Sequence, residues 1–184
     1  MTDGTIGTWS YRAGGWFAVF GSTTTLLLPE SERERVVGLW AQVDGGAAFA
    51  QVLDGLLASG LSSLPGFVLV DAAADGPTRV LLRGEGVRAT LTTAAETVEL
   101  EGAAASTWVE RTVDGVTSLS VTVDATAEGP DFPIETGLVR VSRIDLPPAG
   151  AAEVPAVPEV GAVHEVETVP PVAADAPLDP PPPA

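Results

Sequence analysis

The sequence predicts an α+β domain: mostly antiparallel sheet with an αα-hairpin packed on one face, followed by a disordered proline-rich, acidic tail. Three observations carry this. Between Ser31 and Gly60, two runs repeat apolar residues at helical spacing. Around them lie short β-branched and aromatic runs separated by glycine, proline and aspartate turns. From Pro147 onward the chain turns to Pro, Ala, Val and acids, with eleven of the sixteen prolines and no arginine. Such a segment has too little apolar material for a core and too few amide donors for ladders. The expected division is a folded domain at 1–146 and a tail at 147–184.

The elements follow in order. Thr8 to Arg12 and Trp16 to Phe20 flank Ala13-Gly14-Gly15 and read as a hairpin. Their aromatic residues, Trp9, Tyr11 and Trp16, form either an exposed recognition patch or packing against the helix pair. Thr23 to Leu28 is a third strand, closed by Pro29. Ser31 and Glu34 have the spacing of a capping box. Val36, Leu39, Trp40 and Val43 then recur on one helical face, which places Trp40 in the core. Gly45-Gly46 supplies the stop. Phe49, Val52, Leu53, Leu56 and Leu57 form a second, more regular stripe that ends before Gly60. A short link between the helices predicts an αα-hairpin.

Phe67 to Val70 is apolar without alternation, as in a strand covered on both faces. Asp71 to Pro77 is a turn by composition, and Arg79 to Arg83, Val87 to Thr92 and Thr97 to Leu100 read as strands. Trp108 to Val113 and Val116 to Val123 flank Asp114-Gly115, the strongest short hairpin signal. Leu138 to Ile144 is the last strand. Three strands thus precede the helix pair and at least five follow it.

Composition excludes several functions. Cysteine and lysine are both absent, and all nine basic residues are arginine. Thiolate metal sites, cysteine nucleophiles, Schiff-base chemistry and a P-loop lysine are therefore ruled out. The formal net charge is −16, and the predicted folded part alone carries nineteen acids against nine arginines. Binding to nucleic acid draws on neutralised phosphates, so a nucleic-acid partner is not expected. The start has no basic and apolar leader pattern, and no stretch approaches the ~20 apolar residues that span a bilayer. The expectation is a cytoplasmic protein without membrane insertion.

Candidate chemistry is sparse. His164, the only histidine, lies in the predicted tail, whereas a catalytic base needs fixed geometry. Asp71 and Asp75 make a D-x-x-x-D-G turn that lacks the alternating oxygen ligands of a calcium loop; both, like Asp114, fit turn chemistry. Arg79, Arg83 and Arg88 are the one local basic cluster. Three guanidiniums on one face bind a carboxylate or phosphate; alternatively they form a solvated face paired with nearby acids such as Glu85. No nucleophile elbow, Walker loop or dinucleotide fingerprint is present. No catalytic residue, metal or cofactor is assigned.

The runs GGWFAVFG, LLLP, VVGLWAQV, VLDGLLASGLSSLPGFVLV and VLLRGEGVRATL, which cover roughly Trp16 to Leu91, together resemble the N-terminal region of actinobacterial forkhead-associated (FHA) domain proteins. In that family a proline- and acid-rich linker joins this region to a phosphothreonine-binding module, whose binding residues have no counterpart here. The resemblance implies a non-enzymatic signalling or assembly domain with a protein partner. The order of strands, helix pair and FVLVDAAADGPTRVLLRGEGVRATL is also similar to metal-dependent phosphatases of the PP2C type. Neither Asp75-Gly76 nor Asp114-Gly115 carries that family's surrounding motif, so this likeness implies an inactive or divergent relative. A small anionic-ligand binder using Arg79, Arg83 and Arg88 is the third reading.

Overall fold

The structure, a computed structural model, describes residues 8–73 and 76–148. Within them, ten strands form one barrel-like sheet in which every ladder is antiparallel. The strands are β1 (Trp9–Phe20), β2 (Thr24–Leu28), β3 (Phe67–Asp71), β4 (Thr78–Arg83), β5 (Arg88–Thr93), β6 (Thr97–Glu101), β7 (Val109–Val113), β8 (Val116–Thr122), β9 (Asp131–Ile134) and β10 (Gly137–Leu146). Their spatial order is β6-β5-β8-β10-β1-β2-β3-β4-β7, with β9 paired to β1 off that path. Two helices, α1 (Arg33–Asp44) and α2 (Phe49–Leu57), lie between β2 and β3. The predicted α+β class and antiparallel character hold. The sheet, however, curls around its own core and does not simply carry a helix pair on a flat face.

Two apolar layers result. Ala18, Phe20, Leu27, Val68, Val70, Val80, Leu82, Ala89, Leu91, Leu119 and Val121 fill the barrel interior. The alternate residues Val19, Leu26, Leu28, Phe67, Leu69 and Leu81 face outward, under Val36, Leu39 and Val43 of α1 and Phe49, Val52 and Leu56 of α2. The strands β2, β3 and β4 are thus covered on both faces, which is why their sequences do not alternate. Each such Val, Leu or Phe contributes about 1.5–3 kcal/mol relative to exposure. On the far side of the barrel, β5 and β8 alternate apolar with Thr and Ser and meet solvent on one face.

Four sequence expectations are corrected. Trp9 to Phe20 is one strand, not a hairpin. Ala13-Gly14-Gly15 is a bulge, where the register against β10 shifts between Arg12 and Trp16. The inward phase flips across it, from Trp9 and Tyr11 to Trp16, Ala18 and Phe20. A phase flip is what a turn also produces, so the two readings share one sequence pattern. A Cβ on Gly14 would lie 2.5 Å from both the Cβ and the backbone N of Ser142, so only glycine permits this approach. Ser142 Oγ lies 3.3 Å from Arg12 O and 3.0 Å from Ala13 O, giving carbonyls at the bulge a donor. Two strands, not three, therefore precede the helices.

Asp114-Gly115 is the second correction. Gly115 has φ +63°, as a turn requires, but no ladder joins β7 to β8. β7 pairs with β4, and β8 with β5 and β10. The turn is a corner at which the chain crosses between two parts of the barrel wall.

Trp40 is the third: it is 41% exposed, as Val37 is at 60%. The narrow contact of α1 with the sheet takes Val36, Leu39 and Val43 alone. Fourth, Ser31 makes no capping box. It sits in a short 3-10 turn, Glu30–Glu32, and no side chain caps α1. The capping bond belongs to α2, where Ala48 N–H donates to Gln51 Oε1 at 2.9 Å; alanine has no side-chain oxygen to return it. The α1 stop is as expected, with Gly46 in the left-handed region at φ +79° and Ala47 N–H bonded to Gln42 O. β9, with Pro133 inside it, was not foreseen, and it lies at a sheet edge, where proline is tolerated. The last strand ends at Leu146; the predicted tail from residue 149, His164 included, lies outside the described residues.

Candidate functional site

The predicted site residues are dispersed. Trp9 is fully buried in the barrel, its ring 5.6 Å from that of Phe20. Tyr11 packs beside Phe132 of β9 at 5.7 Å, and Trp16 is half-buried over Gly66. Trp9 belongs to the interior cluster and Tyr11 and Trp16 pack against it, so the three rings form no exposed patch.

Arg79 and Arg83 do share the outer face of β4, on either side of Leu81. Arg79 bonds Glu110 Oε1 at 2.9 and 2.6 Å and lies 4.4 Å from the Phe49 ring centroid. Arg83 donates to Ser106 O at 2.6 Å and to Thr107 O, anchoring the loop before β7. Arg88 lies on β5, which does not adjoin β4, and pairs with Glu101 at 3.3 Å. Each guanidinium therefore has its own separate partner. Asp71 faces Arg79 across the β3–β4 ladder; burial pushes its carboxyl up, and the Arg79 charge pulls it partly back. Asp75 lies outside the described residues. Among the described residues, no three His, Cys, Asp or Glu side chains are grouped to hold a metal ion.

What the fold does build is a seam. The two ends of the strand order, β6 and β7, each pair on one side only. At one end the seam is pinned. Gly84 N–H bonds Gly102 O at 3.2 Å, and Gly102 N–H bonds Val87 O at 2.8 Å. A Cβ on Gly102 would lie 2.7 Å from Gly84 O, so that close approach also needs glycine. At the other end the seam opens into a cleft of about 400 Å³ lined by Thr93, Ala95, Glu96, Val98, Arg111, Thr112, Val113 and Asp114. That volume falls within the ~300–1,000 Å³ of ordinary ligand pockets.

The mouth is ordered by local bonds. Thr93 Oγ1 accepts from Ala95 N–H at 3.2 Å and Glu96 N–H at 3.0 Å, which fixes the β5–β6 turn. Val98 and Val113 are half-buried against the interior cluster and give the cleft an apolar floor. Arg111 is the outlier. It stands opposite Val80, in the inward phase of β7 between Val109 and Val113, yet it is exposed. Among the described residues it has no hydrogen bond or ion pair. An inward-phase guanidinium stays solvated only because the wall is missing beside it.

Sequence reasoning missed Arg111, Val98 and Val113. The signal was present in the alternation Val109-Glu110-Arg111-Thr112-Val113, where an arginine occupies an apolar phase. No family model, curated protein or solved structure matches the chain. Among the described residues, no helix is long and apolar enough to cross a membrane.

Proposed function

We propose that this domain is a non-enzymatic protein-interaction module, the N-terminal part of an FHA-type signalling or assembly protein, and that it docks an extended partner segment at the β6–β7 seam. The observation that carries the reading is the pair of strand edges left without ladders beside an open cleft. Such edges add strands readily, because their N–H and C=O groups lack backbone partners. The sequence run from Trp16 to Leu91 supports the family part of the reading. The net charge of −16 supports a protein partner over a polyanionic one.

The test is selection from a displayed library of random heptapeptides on the full chain, followed by amide chemical-shift mapping. Enriched peptides are expected to shift the amides of Thr97–Glu101 and Val109–Val113. Absence of enrichment, or shifts confined to the helix pair, refutes docking at the seam.

A further inference from the structure

Edge strands are often protected by inward-pointing charges, and Arg111 fits that description. A protective charge needs only to be disliked by an apolar neighbour. Arg111 has more specific surroundings. It is flanked in its own phase by Val109 and Val113, and Val98 lines the same cleft. A strand added to the free edge of β7 places its residues directly opposite these, with Cβ atoms about 4.5–5.5 Å apart. Side chains alternate with period 2, so residues i and i+2 of the added strand enter the cleft and residue i+1 faces out.

We infer that the partner segment is an extended strand of the form apolar-x-acidic, its apolar residue opposite Val113 and its Asp or Glu carboxylate on Arg111. The inference rests on the seam being a docking edge and adds the chemistry of the occupant. Charge complementarity at this one side chain decides it: Glu96 and Asp114 line the same cleft but neither pairs with Arg111, and among the described residues every other arginine already has a hydrogen-bond, ion-pair or electrostatic partner. The acid must point inward. Residue i+1 faces outward beside Thr112, and exposed Glu99 and Glu110 line the outer rims of the seam. A carboxylate displaced by one position would thus face Glu99 and a Glu110 already paired with Arg79, away from the unpaired Arg111, since a one-residue slip reverses the face of every side chain. Beyond Arg111, Val109 lies toward the end where the Gly84–Gly102 backbone bond pins the seam, so a small residue is placed there.

The experiment uses the full chain and three acetylated, amidated peptides with the cores VTETA, VETTA and VTKTA. Binding is read by fluorescence anisotropy, and the site by amide shifts of β7. VTETA is expected to bind about two- to fivefold more tightly than VETTA, the scale of one exposed charge pair. Arg111→Glu is expected to reverse the preference toward VTKTA. Equal binding of VTETA and VETTA with shifts on β7 overturns the inference and leaves the docking edge standing. Absence of β7 shifts with all three peptides removes both. Should Arg111→Gln self-associate while binding VTETA as the parent does, Arg111 guards the edge and reads no partner. Circular dichroism and thermal unfolding of each variant check that the fold is kept.

Discussion

Replacing Gly14 with alanine tests the account of β1 at its most specific point. The new Cβ would sit 2.5 Å from Ser142 Cβ, 2.5 Å from Ser142 N and 2.7 Å from Ser142 Cα. Two of these three atoms are backbone, held in the centre of the ten-residue strand β10. No rotamer change removes the overlap, so β1 and β10 must separate at the bulge. Overpacking of this kind costs about 1–3 kcal/mol, and a backbone obstacle puts this site at the upper end. For a domain of this size, ~3 kcal/mol lowers Tm by roughly 6–12 °C. Gly15 is the internal control. A Cβ there meets nothing within 4 Å, and alanine at a conformationally compatible glycine stabilises by about 0.4–1 kcal/mol through the unfolded chain. Urea unfolding of the two variants should therefore give changes of opposite sign. If Gly14→Ala and Gly15→Ala agree within ~0.5 kcal/mol, the close approach is not what requires glycine, and the bulge account fails.

Three other outcomes are expected. Leu56→Ala, at a fully buried site under α2, should cost about 2–5 kcal/mol, whereas Trp40→Ser should stay within about 0.5 kcal/mol; equal losses would put Trp40 back in the core. Asp71 is held above the ordinary aspartate range by burial, so its ionisation opposes folding. Its penalty is absent below that range and grows as pH rises through it and on to the raised value. Asp71→Asn should therefore gain stability relative to the parent as pH rises from acid to neutral, seen in urea midpoints; a gain that instead shrinks with rising pH contradicts the sign. Gly102→Ala should pry open the pinned end of the seam against Gly84, costing about 1–3 kcal/mol. Faster hydrogen exchange at the Gly84 and Gly102 amides is the readout, and unchanged exchange there would show that this contact does not close the barrel.

Much of the local structure was legible. The stripe Phe49, Val52, Leu56 and the glycine stop after α1 are short-range patterns set by helix geometry, and both stand where expected. The unbroken apolar run Phe67–Val70 announced burial on two faces, because a strand with one wet face would alternate. Legibility ended where strand partners had to be chosen. Ala13-Gly14-Gly15 flips the inward phase, and a bulge and a turn do so alike; only the pairing of β10 with both halves of β1 separates them. Asp114-Gly115 did turn the chain, but its flanking strands found better-matched edges on β4 and on β5 and β10. Trp40 was misplaced because helical spacing gives the direction of a stripe and not its width. The candidate site was least legible, since Arg79, Arg83 and Arg88 are near in sequence while β4 and β5 are apart in the sheet.

By itself the sequence determined the class of the fold, the position of the helix pair and the exclusion of cysteine and lysine chemistry. These depend on composition and on contacts a few residues apart. The tertiary structure alone decided that the sheet curls into a barrel-like form, that β6 and β7 are its unpaired ends, and that Arg111 stands in the gap between them without a partner among the described residues. Which edges pair is settled by competition among distant strands for a shared interior, and no window of neighbouring residues records its outcome.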